Sequence, residues 1–253
     1  MTATTLPYDA AALDRRTTLL SGVSAFVGTW RVGRYFWAIV VAITIAVLYL
    51  TDRYGEVEGT VADGILGSEK IFLGVMGIII PLAMLSLHLA AGGTRRALFR
   101  GLLGAGVALA VTFAMAGAAG MLVESLVADA AGWPGSVQDA RLYDEAGDFF
   151  AIVLSWSLSG LAYFLGGATV GIAYSRWGPF RGTVVLVPMI AAVAAVEVML
   201  GGGALGPVFT QMADQTAGVV AVAVSVVIIA VLAVVLHRTI RDVPIRTGAP
   251  GDG

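Results

Sequence analysis

Cysteine is absent from this 253-residue sequence, which also holds only one lysine and two histidines. Without cysteine, disulfide bonds, thiolate metal sites and thiol nucleophiles are excluded. A phosphate-binding loop of the form G-x-x-x-x-G-K-S/T is excluded too, because the single lysine, Lys70, follows Leu-Gly-Ser-Glu instead of a glycine. Any ATP hydrolysis that drives this protein therefore takes place on another chain.

Charged residues are scarce as well. They make up 13% of the chain, whereas 58% of its residues are hydrophobic, against about 25% charged and about 45–50% apolar in soluble domains. The composition is that of an integral membrane protein. The polar, mixed first twenty residues do not resemble a cleavable signal peptide.

Six apolar segments are each close to the roughly 20 residues that cross the hydrocarbon core as a helix. The hydropathy pattern predicts spans at residues 34–51, 70–90, 101–123, 149–173, 183–200 and 216–237. All are expected to be α-helices, because lipid offers no hydrogen-bond partner to an exposed backbone group. The predicted fold class is an all-α membrane bundle.

Basic residues set the predicted orientation. With both termini in the cytoplasm, the outside receives only Arg53, Lys70 and Arg141, while ten of the 17 acidic residues lie in the first two outer loops. The cytoplasmic side receives twelve arginines: Arg15, Arg16, Arg31, Arg34, Arg95, Arg96, Arg100, Arg176, Arg181, Arg238, Arg241 and Arg246.

Residues 19–37, before the first span, are too polar to cross a membrane and too apolar for a free tail. They are predicted to form an amphipathic helix in the cytoplasmic interface that then turns into the membrane. The alternative is a disordered leader that merges with the first span. The predicted organisation is a tail over 1–18, a single transmembrane domain over 19–240 and a disordered tail over 241–253.

Two glutamates lie at the ends of predicted spans and are candidates for contact with a substrate or a gate. Glu124 ends the third span, and Glu197 lies about one turn from the outer end of the fifth. An acid in the membrane points to function by default, although both are shallow enough to reach the outer interface. The predicted spans carry no convincing deep charge, which argues against a proton-coupled carrier.

Small residues are frequent in the third and fourth spans. Gly160, Gly167 and Gly171 are predicted to be helix-packing positions, because glycine lets helices approach closely in lipid. Packing inside one bundle and packing across a dimer seam are both open.

The fourth span also raises the alternative of an intramembrane serine protease, with Ser159 as nucleophile and His237 as base. Ser159 is predicted near the middle of the bilayer and His237 at the cytoplasmic surface, about 15 Å apart in depth. A base must lie within about 3 Å of its nucleophile, so this alternative is remote.

The stretch HLAAGGTRRALFRG, residues 88–101, is a strongly basic cluster between two apolar spans. The glycines permit a sharp turn, and the arginines that follow offer forked donors for carboxylates of a partner. The alternative is that they only enforce topology and bind lipid phosphates. The residues predicted to contact a partner are Gly92, Gly93, Thr94, Arg95, Arg96, Phe99 and Arg100.

Three stretches together resemble ABC-2-type exporter permeases, in particular small actinobacterial ones. AAGGTRRALFRG resembles their Gly-x-Ser/Thr-Arg-Arg loop between spans two and three, VESLVADAAGWPG the stretch after span three, and GGATVGIAYSRWGPFRG their glycine-rich span four. The short third outer loop is similar to their partial re-entrant segment. Trp133 is followed by Pro134, where the family has glycine.

The resemblance implies a permease subunit in a bacterial plasma membrane, without an enzymatic site, a cofactor or a nucleic-acid partner. It implies pairing with a second permease copy or a related permease, contact with lipids, and a separate ATP-binding subunit docked on the N-terminal helix and the basic loop. Drugs, peptides and lipids are typical cargo. The alternative is a non-transporting immunity or sensor protein with a degenerate permease fold.

Overall fold

The computed structural model describes residues 10–54, 67–132, 142–201 and 217–242, which form five long α-helices. Each is long and apolar enough to cross a membrane, and the predicted all-helical fold is confirmed for the described residues. Trp133 and Pro134, the re-entrant segment, four of the outer-loop acids and the end of the C-terminal tail lie outside the described residues. The helices are α1 (Ala10–Tyr54), α2 (Ser68–Ala90), α3 (Arg95–Ala131), α4 (Phe149–Leu200) and α5 (Gly218–Arg241).

Helix α4 contains the fourth and fifth predicted spans and folds back on itself at Gly178. This residue has φ 77° and ψ −178°, a positive φ that glycine adopts without the penalty of a side chain. The arms, residues 149–177 and 179–200, lie side by side and antiparallel. Gly166 packs against Val193, and the hydroxyls of Tyr174 and Thr183 are 2.9 Å apart.

Helix α1 differs from the sequence prediction. It begins at Ala10, inside the predicted tail, and continues without a break through residues 19–37, so the predicted turn between an interfacial helix and the first span is absent. No proline interrupts this stretch, and small residues let α1 run closely along α3. Gly22 contacts Gly101, and Gly33 contacts the ring of Phe113.

The path of α1 also moves two arginines. Phe113 lies 18 residues after Arg95 in α3, about 27 Å along the helix at 1.5 Å per residue. Arg31 and Arg34, which flank the contact between Gly33 and Phe113, therefore lie beside the middle of α3. They do not join the arginines at its beginning, as the orientation prediction had assumed. The guanidinium of Arg34 lies over the ring of Tyr35 and donates a hydrogen bond of 2.9 Å to its hydroxyl.

The described bundle has two ends of opposite character. One end, called the arginine end, collects the start of α3, the end of α5 and the Gly178 turn, with Arg95, Arg96, Arg100, Arg176 and Arg241. The other, called the acidic end, collects the start of α2 and the ends of α3 and α4, with Glu69, Glu124 and Glu197. Both Ala10 and Asp242, which bound the described chain, are on helix ends at the arginine end.

An aromatic cluster joins α1, α2 and α3 in the core. The rings of Phe36 and Phe72 are stacked with centroids 4.7 Å apart, and the ring of Phe72 is stacked on that of Phe113 at 5.5 Å. Trp30 adds a tilted contact with Phe113 at 4.7 Å. Such pairs add about 0.5–1.5 kcal/mol each beyond the apolar area that they bury, so the cluster fixes the register of α1.

Candidate functional site

The basic loop between α2 and α3 is a tight turn. Gly92 has a φ of 80°, and Gly93 lies against the ring of His88, whose Nε2 is 3.1 Å from the carbonyl oxygen of Thr94. Thr94 caps α3 by accepting a hydrogen bond of 3.0 Å from the backbone N–H of Ala97. The three arginines that follow thus belong to the first turns of the long helix α3.

The position of these arginines is electrostatically unfavourable for the helix. Cations in the first turn face the positive end of the helix dipole, at a cost of about 0.3–1 kcal/mol each. Asp14 of α1 offsets part of that cost, since its two carboxylate oxygens accept hydrogen bonds from Thr94 at 3.0 Å and from Arg100 at 3.1 Å.

Two further contacts join the arginine end. Arg95 donates a hydrogen bond of 3.0 Å to the carbonyl oxygen of Arg241 at the end of α5, and Arg176 forms an ion pair of 3.6 Å with Asp242. Exposed ion pairs contribute only about 0–1 kcal/mol, so these contacts fix positions more than they add stability. They bring the N-terminal part of α1, the basic loop and the end of α5 into one surface.

Phe99 and Arg96 have different places within that surface. The ring of Phe99 is partly buried on the core and lies 4.7 Å from the ring of His237. The sequence had predicted Phe99 as an anchor offered to a partner, whereas its ring packs on α5 of its own chain. Arg96 is exposed, which leaves its guanidinium accessible to a partner.

At the acidic end, an ion pair joins α2 to the second arm of α4. The Nζ atom of Lys70 lies 2.5 Å from Oε2 of Glu197, and the two side chains are 18% and 5% exposed. The sequence had placed Lys70 in an outer loop and had found no convincing charge deep in the spans. The pair lies one helical turn or less inside both helix ends.

The other two glutamates of the acidic end occupy separate places. Glu69 is 2% exposed and lies beside Gly117 and Trp156. Glu124 is 6% exposed and follows Gly117 by seven residues, about 10 Å along α3. Of the two glutamates that the sequence singled out, Glu197 lines a cavity.

That cavity is a groove between α2 and the two arms of α4, with a volume of about 350 Å³. Small-molecule sites fall in the range of about 300–1,000 Å³. Apart from Glu197 and the ring of Tyr163, its walls are apolar side chains and glycines. Ile71, Val75 and Ile190 line it and are exposed at the surface of the bundle, so the groove opens sideways.

Glycines form the floor of this groove. Gly167 lies against the carbonyl oxygen of Gly74, and Gly171 lies against that of Ile78. Gly160 faces the side chain of Leu73 deeper in the bundle. These three positions face α2 of the same chain.

Sequence reasoning missed Glu69, Lys70 and Tyr163. A usable signal was present, because Lys70 is the only lysine of the chain and directly precedes a long apolar run together with Glu69. Pairing with a residue 127 positions away is a tertiary property. Tyr163 carried no signal, since an aromatic residue in an apolar span is ordinary.

The geometry offers no catalytic arrangement around Ser159. Gly160, its neighbour, packs near Ala110, while His237 packs on Phe99. Those two positions of α3 are eleven residues apart, or about 16 Å, so the serine and the histidine lie at different depths. The described residues hold no cluster of His, Cys, Asp or Glu that fits a metal ion.

No protein-family model matches the sequence, and neither the curated proteins nor the solved structures contain a match. The resemblance to ABC-2-type permeases therefore rests on the three sequence stretches alone.

Proposed function

We propose that this chain is the membrane-spanning permease subunit of an ATP-driven exporter in a bacterial plasma membrane. It moves an amphiphile such as a drug, peptide or lipid outward, and a separate ATP-binding subunit supplies the energy. Two copies, or one copy and a related permease, form the complete pathway.

One observation carries the proposal, namely the surface at the arginine end. Exposed Arg96 and Arg100 lie beside Asp14 of α1 and the end of α5, in one surface held by hydrogen bonds. A partner that moves this surface would act on α1, α3 and α5 at once. The place of Arg96 in the first turn of α3, where the helix dipole disfavours a cation, supports a binding role.

The orientation follows from the same charges. An arginine-rich end is favoured on the cytoplasmic side, where an ATP-binding subunit has access to ATP. If each arm of α4 crosses the bilayer, the chain crosses it six times, with both described termini inside. The acidic end then faces outward.

Site-specific photo-crosslinking in native membranes tests the docking surface. A benzoylphenylalanine at position 96 is expected to form an adduct with a protein that carries a phosphate-binding loop, identified by mass spectrometry. The same group at position 150, an exposed site at the acidic end, is the matched control. No adduct with an ATP-binding protein at position 96 would favour the non-transporting alternative.

The charge reversal Arg96→Glu gives a second test of docking. A carboxylate in the first turn of a helix is stabilised by the dipole, so the variant is expected to fold at least as well as the wild type while it loses the ATP-binding partner. Phe99→Ala tests docking less cleanly, because the substitution also removes the contact with His237. Undiminished partner retention by Arg96→Glu would reduce the basic loop to a topological signal.

A further inference from the structure

The groove between α2 and α4 has one polar wall, and that wall is a carboxylate. Glu197 lines the groove and is 4% exposed as a residue. Its Oε2 atom is engaged by Lys70, while its buried Oε1 atom has no hydrogen-bond partner among the described residues. A buried oxygen of this kind is costly unless a donor reaches it.

Lys70 itself is not part of the groove lining. The polar groups beside a molecule in the groove are therefore those of Glu197 and Tyr163, with apolar walls along the remainder. A positive N–H donor complements both, since hydrogen bonds between ionised groups are the stronger ones and aromatic faces attract cations.

We propose that the groove is a binding site for an amphiphilic amine. Its ammonium head donates a hydrogen bond to the carboxylate of Glu197 once that side chain turns toward the groove, and its hydrocarbon body lies along α2 and the second arm of α4. Because Ile71, Val75 and Ile190 open the groove sideways, the ligand enters laterally from the bilayer. That such an amine is the cargo rests on the proposed export function, whereas the site itself does not.

An ammonium group on a hydrocarbon body occurs in single-chain amines and in phosphatidylethanolamine. The described length of the groove, from Ile71 to Ile78 along α2, is about 10 Å by helical rise. That length and the volume of about 350 Å³ suit one chain, so we commit to a single-chain amine.

The test is photolabelling of the purified chain in phosphatidylcholine nanodiscs with a diazirine-bearing dodecylamine. Labels are expected on groove residues such as Ile190, and the trimethylammonium analogue, which lacks an N–H donor, should label about tenfold less. Adding phosphatidylethanolamine to the nanodiscs should not compete. Strong competition by this lipid would overturn the assignment to a single-chain amine.

Two variants locate the ligand. The double variant Lys70→Met with Glu197→Met removes the carboxylate without leaving a lone buried charge and is expected to lose groove labelling. Ala194→Phe, which fills the groove and keeps the ion pair, should lose it too. Exposed Glu145→Gln at the same end is the control and should label as the wild type does.

Unchanged labelling of the double variant, or absence of groove labels in the wild type, would overturn the site. The assay contains neither ATP nor an ATP-binding subunit. A failed search for that subunit would therefore leave the labelling result standing, and failed labelling would leave the docking surface untouched.

Discussion

The close approach of α2 and α4 at Gly171 leads to a quantitative prediction for Gly171→Ala. A Cβ atom at this position would lie 2.7 Å from the carbonyl oxygen of Ile78, and ordinary contact begins at 3.4 Å, so the helices must separate by 0.7 Å, the difference of the two distances. Overpacking of this kind costs about 1–3 kcal/mol. The higher helix propensity of alanine relative to glycine offsets up to about 1 kcal/mol of this cost. The expected net loss of unfolding free energy is about 1–2 kcal/mol.

A matched pair of substitutions brackets this value. Gly104→Ala places the same methyl group on α3 with nothing within 4 Å of it, so only the propensity gain of about 0.5–1 kcal/mol remains. Gly167→Ala is the more severe case, because its Cβ would overlap the backbone oxygen of Gly74, which cannot rotate away. From the most to the least stable, the predicted order is Gly104→Ala, wild type, Gly171→Ala and Gly167→Ala.

The free energy of unfolding is measured in mixed micelles by reversible SDS titration, followed by tryptophan fluorescence. Equal stability of Gly171→Ala and Gly104→Ala would refute the argument, because it would mean that α2 and α4 are not in backbone contact at this position. A stable, well-folded Gly167→Ala variant would refute it more strongly.

The ion pair predicts that removing Lys70 alone destabilises the protein more than removing Lys70 and Glu197 together. The single variant Lys70→Met is expected to lower the free energy of unfolding by less than the roughly 3–5 kcal/mol that is typical of breaking a fully buried pair, because Lys70 is 18% exposed. Adding Glu197→Met is expected to restore most of that lost stability. A double variant less stable than the single one in the same SDS titration would count against it. For orientation, Arg96→Cys is expected to react with an impermeant thiol reagent only after cell lysis, and Asp144→Cys already in intact cells. The absence of native cysteine makes the background low, and the reverse pattern would invert the proposed topology.

The membrane class, the helical fold and most helix positions are consequences of composition and hydropathy, which a sequence displays directly. Lipid leaves a long apolar segment little choice but to be helical. The boundary between the fourth and fifth predicted spans includes Gly178 and Pro179, and the structure reverses the chain at Gly178. Such local determinants need no information about neighbouring helices.

The course of α1 could not be read in the same way. The polarity of residues 19–37 is compatible with an interfacial helix, and the alternative of packing along α3 depends on contacts of Gly22 and Gly33 with residues about 80 positions away. Likewise, Phe99 was expected at a partner because its local neighbours are arginines. The ring of His237, which it contacts, lies on another helix.

The candidate site shows most clearly which properties depend on the sequence alone and which depend on tertiary packing. The sequence by itself determined that Glu197 lies near the end of an apolar helix, since that depends only on its position in the run. The tertiary structure alone decided that Lys70 engages one oxygen of Glu197, that the other is buried without a partner among the described residues, and that Glu197 lines a groove. The physical reason is that α2 and α4 approach closely through glycines, and the geometry of that approach is set by packing across the bundle.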